Sequence, residues 1–489
     1  MIRTLRSSAP RAWRAARQPV AALAFALTVA PLAVSAQPAA KAAASSINIP
    51  FEKYVLPNGL DVILSVDRST PVVAVDIFYH VGSKHEEVGR TGFAHLFEHV
   101  MFTGSGHVPY GLHDRLTEGV GGGNNGSTNN DFTVYYETAP SNYLETALWL
   151  ESDRMGWLLD ALDTAKYNAQ RDIVKNERRQ SVDNQPYGRV GEIMSAAMYP
   201  KNHPYSWPVI GSMADLSAAS VEDVKNFFRL YYAPNNATLS IVGDFDPAEA
   251  KRLVAKYFGD IPRGRAIPRR KIAPATLTAE KRLVYEDRVQ VPRLFISWPT
   301  VGVHHDDQHA LDMLGAILSG PRTARLTKAL VYDQQSAANV SAGQSTSEDV
   351  GEFELSITPR PGHTLTALEL ATDSIIDRLK REGPTQDELQ RAKAGAELSF
   401  LRGLESNLGK SFQLNIGNVF HGDPGYFRTE YAKSQAVTAA DVRRVANRYL
   451  GKGRVVLSVV PQGKRSEASK PERSTLITAR PTTSGTEAK

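Results

Sequence analysis

Two histidines four residues apart with a glutamate between them are the most chemically loaded feature of the 489-residue sequence. They lie in the segment Thr91-Gly-Phe-Ala-His95-Leu-Phe-Glu98-His99-Val-Met-Phe-Thr-Gly104. Residues four apart on a helix share a face one turn apart, so His95 and His99 can present both imidazoles to one ion. Neutral imidazole is a good zinc ligand, and a centre with three protein ligands keeps a fourth position open for catalysis. Glu98 adjoins the second histidine and is placed to take a proton from water attacking a carbonyl. Every other position from Phe93 to Phe102 is apolar, so the helix is buried. Three ionisable groups on such a helix are costly unless they are paired or bound to metal.

A third ligand must come from another helix. Spacing leaves Glu151, Asp153, Asp160, Asp163, Asp172 and Glu177 available. Tyr167, Gln170, Val174, Glu177 and Ser181 fall on one helical face, which can turn inward.

The pattern His-x-x-Glu-His is the reversal of the commoner zincin motif. With the segments VGSKHEEVGRTGFAHLFEHVMFTGS, GGGNNGSTNNDFTVYYETAP, LESDRM, IVKNERRQ, HPYSWPVIG and YYAPNNATLSIVGDFDP in order, the chain resembles the pitrilysin and mitochondrial processing peptidase family in its two-domain, half-length bacterial form. The likeness spans about residues 50–462. It implies a zinc-dependent endopeptidase acting on short or unfolded peptides, with one Zn2+ per chain held by His95, His99 and Glu177, and Glu98 as general base. Relatives carry a second glutamate seven residues before Glu177; this chain has Gln170, whose amide can hydrogen-bond a ligand or water but supplies no charge. The resemblance also implies that Asn125, Gly126, Ser127, Thr128 and Tyr135 belong to a substrate-binding edge where an extended peptide adds as a strand.

Active relatives further use an arginine and a tyrosine seven residues apart, after a Ser-Arg-Leu turn, to bind the substrate backbone and the developing oxyanion. Here the matching segment runs Ala324-Arg325-Leu326, and the paired positions hold Val331 and Ala338. The resemblance therefore implies the metal-bearing subunit of a two-subunit enzyme, whose homologous partner supplies the Arg/Tyr pair; a homodimer is the other arrangement. The rival readings are a non-catalytic, metal-stabilised assembly subunit and a mitochondrial presequence-processing subunit.

The elements that must position these residues read as a duplicated plan. Strands 54–64 with an Asn58-Gly59 turn, 72–82, 131–138 and 237–245 surround helical stretches within 141–195, and GVGGGNNGSTNN (119–130) reads as a loop. A Pro/Arg-rich linker (263–280) follows, and the plan restarts with strand 294–303, helix 308–320, helical stretches 364–406 and 436–450, and strand 454–461. Aligning Gly104 with Gly320 sets Leu311, Leu314 and Gly315 opposite His95, Glu98 and His99, so the second half lacks the zinc motif. The expected fold is α+β: two similar domains, 47–262 and 281–462, each an antiparallel sheet with helices packed on one face. Together they would form half of a clamshell chamber. Residues 463–489, polar and aperiodic, read as a disordered tail.

Composition narrows the function class. The formal charge of +5 comes from five arginines in residues 1–36, without which 52 basic and 52 acidic side chains balance, so no nucleic-acid partner is expected. That leader has an Arg-rich start, an apolar stretch from Pro19 to Val34 and a small-residue site at Val34-Ser35-Ala36, the layout of a secretory signal cleaved before Gln37. Residues 37–46 form a low-complexity linker. A periplasmic or secreted bacterial protein with no membrane span after cleavage is expected; the acid-free, Arg/Ser/Ala-rich start keeps the mitochondrial matrix as the alternative. With no cysteine, disulfides, thiolate metal ligands and thiol nucleophiles are excluded.

Overall fold

Two six-stranded sheets, their central strands buried along nearly their whole length, form the computed structural model, which describes residues 47–478 except 268, 270 and 271. The expected signal (1–36) and the linker after it (37–46) lie outside the described residues. The first half contains β1 (Glu52–Val55), β2 (Asp61–Val66), β3 (Val72–Tyr79), α1 (Phe93–Val100), α2 (Leu112–Glu118), β4 (Gly123–Thr128), β5 (Thr133–Pro140), α3 (Leu144–Ala161), α4 (Thr164–Arg178), α5 (Val190–Met198), α6 (Met213–Ala218), α7 (Val221–Tyr231), β6 (Ala237–Gly243) and α8 (Pro247–Phe258). The second contains β7 (Lys281–Asp287), β8 (Arg293–Val301), α9 (Gln308–Leu318), β9 (Ala337–Thr346), β10 (Val350–Pro359), α10 (Leu365–Glu382), α11 (Gln386–Gly403), α12 (Asn407–His421), α13 (Phe427–Ala436), α14 (Ala439–Tyr449), β11 (Val455–Pro461) and β12 (Thr475–Ile477).

Strand orders β1-β2-β6-β3-β5-β4 and β12-β7-β11-β8-β10-β9 match position for position, as a duplication requires. Both sheets are mixed rather than antiparallel. β6 runs parallel to β2, and β11 runs parallel to β7, because each returns to the sheet through helices instead of a hairpin. Odd-numbered residues of β3 (Val73, Val75, Ile77, Tyr79) share a core with α1, α3, α7 and α8. The even-numbered ones face the other way.

That other face carries the main departure from helices on one side only. α12, a helix the sequence does not announce, leaves the second half and lies across the first sheet. Ser411 donates to Asp76 (3.0 Å), Asn415 to Ser240 (3.2 Å), Asn418 to Thr238 (2.8 Å), and Phe412 meets Phe78 edge-on at 5.1 Å. In return α5 of the first half puts Met194 and Met198 on Val455, Leu457 and Val459 of β11. Each sheet is therefore covered on both faces, once by a helix from the opposite half, and residues from Asn48 onward make one compact unit.

Two further expectations are corrected. The Gly/Asn-rich stretch is not a loop: Gly123–Thr128 pair with β5 as the edge strand of the first sheet, Gly126 opposite Tyr135. The tail is ordered through residue 478, where β12 pairs with β7 and Ser469 and Lys470 bind the buried carboxylate of Glu369. Polar bonds, not hydrophobic periodicity, hold that segment, which is why its composition reads as disorder.

Candidate active site

The start of α1 is fixed before its histidines matter. Gly92 precedes the helix in the left-handed region (φ 90°), and a Cβ there would lie 2.8 Å from the Ile210 carbonyl and 2.9 Å from Gly211 Cα. The buried Glu86 carboxylate accepts from the Gly92 (2.9 Å) and Ala94 (2.8 Å) N–H groups, otherwise orphaned at the helix end. Asp215 accepts from the Thr91 N–H (3.0 Å) and its hydroxyl. Neither Glu86 nor Asp215 was singled out from the sequence, since their role depends on chain segments meeting in space. Phe97 then packs its ring on Phe228 and Tyr232, at 5.6 and 5.1 Å between centroids, so α1 cannot rotate about its axis.

α4 supplies the carboxylate. Asp163 caps it, the Tyr167 hydroxyl donates to the Ala219 carbonyl (2.7 Å), and Val174 is fully buried. Arg178, next in sequence to Glu177, is buried and binds the Gly211 carbonyl (2.7 Å) and Glu192 (2.5 Å). Gly211 touches Gly92, so the starts of α1 and the end of α4 are tied to the same turn.

Glu177 Oε2 consequently stands 3.6 Å from His95 Nε2 and 3.2 Å from His99 Nε2, with the two imidazole rings 4.9 Å apart and nearly perpendicular. One ligating atom from each lies within 4.8 Å of the others. Burial, reinforced by His99, brings the His95 pKa down to about 4, so its imidazole is neutral with a lone pair free for a metal. Two neutral imidazole nitrogens and a carboxylate converging on one point are a donor set that fits zinc. Of the six acids left open by spacing, Glu177 alone joins the histidines; Glu151 and Asp153 are buried in α3 against other partners.

Glu98 is half-buried beside this centre. Its pKa is raised by burial and by Glu177, while Thr128 and His99 pull the other way. The edge strand β4 passes directly over it: a Cβ on Gly126 would lie 3.2 Å from Glu98 Cγ and 3.1 Å from the Tyr135 ring. Asn125 and Ser127 of that strand are exposed, Gly126 and Thr128 half-buried. Tyr135 is misplaced on a substrate edge. It is fully buried, faces the helices, and holds the Arg154 guanidinium 4.5 Å from its ring centroid. Alternation along β5 decides this: Tyr135 points inward with Thr133 and Glu137. Gln170 sits half-buried two turns before Glu177, and among the described residues no hydrogen bond links its amide to His95, His99 or Glu177. His203 is structural, stacked on Tyr199 and bonded to the Ala273 carbonyl.

In the second half Leu311, Leu314 and Gly315 occupy the matching helix, all buried, with Gly315 packed 2.9 Å from Gly343 of β9 when a Cβ is imagined on it. No ligand chemistry survives there.

Comparison with known proteins agrees with this division. Residues 61–211 match the model described as insulinase (peptidase family M16), and residues 218–396 match the one described as peptidase M16 inactive domain. The zinc protease PqqE of Helicobacter pylori is 30% identical over 407 residues, covering 81% of this chain and 90% of the relative. A probable mitochondrial-processing peptidase subunit beta from Arabidopsis thaliana is 21% identical, covering 83% of this chain and 77% of the relative. The crystal structure of a protease from Helicobacter pylori superposes with a TM-score of 0.79 at 27% identity, covering 84% of this chain and all of that one. With a zinc-type donor set in the first half, none in the second, and this similarity along nearly the whole chain, the protein belongs to the M16, or insulinase/pitrilysin-like, peptidase family.

Proposed function

We propose that the protein is a zinc-dependent endopeptidase that hydrolyses short or unfolded peptides, with His95, His99 and Glu177 holding the ion and Glu98 moving the protons. The carrying observation is that Glu98 lies between this donor set and the unpaired edge of β4, so base, metal ligands and a strand-shaped docking edge share one place. An extended peptide adds to β4 through backbone hydrogen bonds, and the exposed Asn125 and Ser127 flank it; recognition then depends on main chain more than on side chains. Zinc bound there supplies Lewis acidity towards the scissile carbonyl and lowers the pKa of water. Glu98, with its proton affinity raised by burial, takes the proton from the attacking water and returns it to the departing amine. Helix α1 holds His99 and Glu98 side by side throughout.

Val331 and Ala338 stand where the Arg/Tyr pair that would bind the oxyanion is expected. This supports a role as the metal-bearing half of a two-chain enzyme enclosing a chamber; the Arg-rich and then apolar leader supports a place in the periplasm or outside the cell after its removal. The test is cleavage of an unstructured peptide mixture by the zinc-loaded chain with and without a homologous subunit carrying that pair. Glu98→Gln should cut turnover by about 10²–10⁴-fold while zinc content stays unchanged. Full activity in that variant would remove Glu98 from the chemistry.

A further inference from the structure

A second group of ligand-type side chains lies behind the edge strand, walled off from solvent. His113 of α2, Glu137 of β5 and Glu151 of α3 are 8%, 1% and 0% exposed, and one ligating atom from each lies within 4.8 Å of the others. Their bonding is incomplete. His113 Nε2 and Glu137 Oε1 face each other at 2.8 Å, but neither they nor His113 Nδ1 and Glu137 Oε2 make a hydrogen bond. Glu151 gives Oε1 to the Arg154 guanidinium and keeps Oε2 buried and free. The Arg154 guanidinium lies over the Tyr135 and Phe102 rings, whose centroids are 4.5 and 5.1 Å from its carbon, and its Nε and Nη1 make no hydrogen bond either.

Buried polar atoms are rarely left without partners, and an uncompensated charge in an apolar shell is more costly still. With both carboxylates ionised, the pair and the single guanidinium leave one negative charge in excess. A proton would satisfy a single oxygen. A divalent cation satisfies Glu137, the free oxygen of Glu151 and the His113 lone pair at once, with Arg154 bracing Glu151 from its other side. We infer that His113, Glu137 and Glu151 form a second, structural metal site for a zinc-like divalent ion, separate from the His95–His99–Glu177 centre. Nitrogen-plus-carboxylate donors suit zinc among the common divalent ions, and a site buried away from substrate ties elements together rather than turning over. The ion would tie α2 and α3 to β5, directly behind β4, to which α2 is already joined by the Asn124–Thr117 hydrogen bond (2.6 Å).

Zinc content of the purified full chain, measured by mass spectrometry after metal removal, zinc refolding and desalting, tests this. The wild type should hold two equivalents, and the double variant His95→Ala/His99→Ala should keep one. Glu137→Gln should also keep one, and that one should be lost when His95 and His99 are replaced as well. One equivalent in the wild type and none in the double variant would overturn the second site, as would an extra equivalent that survives Glu137→Gln. Because Glu137→Gln can disturb folding, zinc-edge anomalous scattering from crystals of the double variant gives an independent reading. A peak between His113, Glu137 and Glu151 is the expected result, and a peak elsewhere or none refutes it. One equivalent retained at that position alone, with none at His95 and His99 in the wild type, would instead refute the catalytic centre and leave the buried one standing.

Discussion

Glu98 and Glu177 are neighbours at the same candidate metal centre, and what surrounds them suits them to different tasks. Glu177 projects from the last turn of α4, more exposed than either histidine, with its oxygen already 3.2 Å from His99 Nε2. Glu98 is held against β4, where burial raises its affinity for a proton. A ligand must stay ionised and fixed, whereas a base that later acts as acid must bind and release a proton near the working pH. Glu177→Gln should therefore lower zinc affinity by more than the ~10–100-fold typical of losing an outer partner of a ligand. Competition with a chromogenic chelator measures this, and unchanged affinity would exclude Glu177 as a ligand. The motif helix was legible because His95, Glu98 and His99 are local. Glu177 was not singled out by spacing, since its pairing depends on how α4 packs, and Tyr135 was misjudged because strand phase decides which face a residue takes.

At the scale of elements, polar side chains do work that hydrophobic patterns do not reveal. The tail from 463 to 478 is fastened to α10 by Glu369, which also binds Arg282 and Arg454 and has no exposed surface. Burial alone would raise its pKa, but hydrogen bonds from Arg282, Ser469 and Lys470 outweigh that and bring it down to about 2. A carboxylate with a depressed folded-state pKa stabilises the fold above its unfolded pKa of about 4.5, and that contribution fades as pH falls towards 2. The size is on the order of 3 kcal/mol. Thermal melts of wild type and Glu369→Gln should differ fully above pH 4.5 and converge below it. A constant gap down to pH 2 would show that the glutamate acts by packing rather than by charge. Helix α12 escaped notice for a related reason: its sheet-facing residues Ser411, Asn415 and Asn418 are polar, and only the matching Asp76, Ser240 and Thr238 on the strands explain them.

At the scale of the whole molecule, the exchange of α5 and α12 makes the two halves mutually dependent. A seam of buried charge strengthens the tie: Lys84 of the first half binds Glu348 (2.5 Å) and Asp349 (2.8 Å) of the second, and His80 Nε2 also meets Glu348 (2.6 Å). Breaking one partner of such a cluster leaves buried charge uncompensated. Residues 47–262 expressed alone should fail to give a cooperative thermal transition, because Asp76 and Ser240 lose the helix that satisfies them. A sharp independent melt of that fragment, followed by circular dichroism, would refute the dependence. The half with the zinc-type donor set thus relies for stability on a half that has the fold without those residues, Leu311, Leu314 and Gly315 standing where His95, Glu98 and His99 stand in the first.

Sequence alone determined the chemistry available and the repeated plan, because helical spacing and hydrophobic alternation are short-range properties. It placed His95, Glu98 and His99 on one buried helix, removed thiol chemistry through the absence of cysteine, and marked the second half as lacking ligands. Spacing left Glu177 one of six acids, and only the family resemblance singled it out; only the tertiary structure decided that Gly123–Thr128 form an edge strand, that α12 crosses to the other sheet, and that His113, Glu137 and Glu151 meet out of solvent. Each of these depends on residues far apart in the chain whose polar groups find partners only once the sheets are assembled, and no local pattern encodes such a meeting.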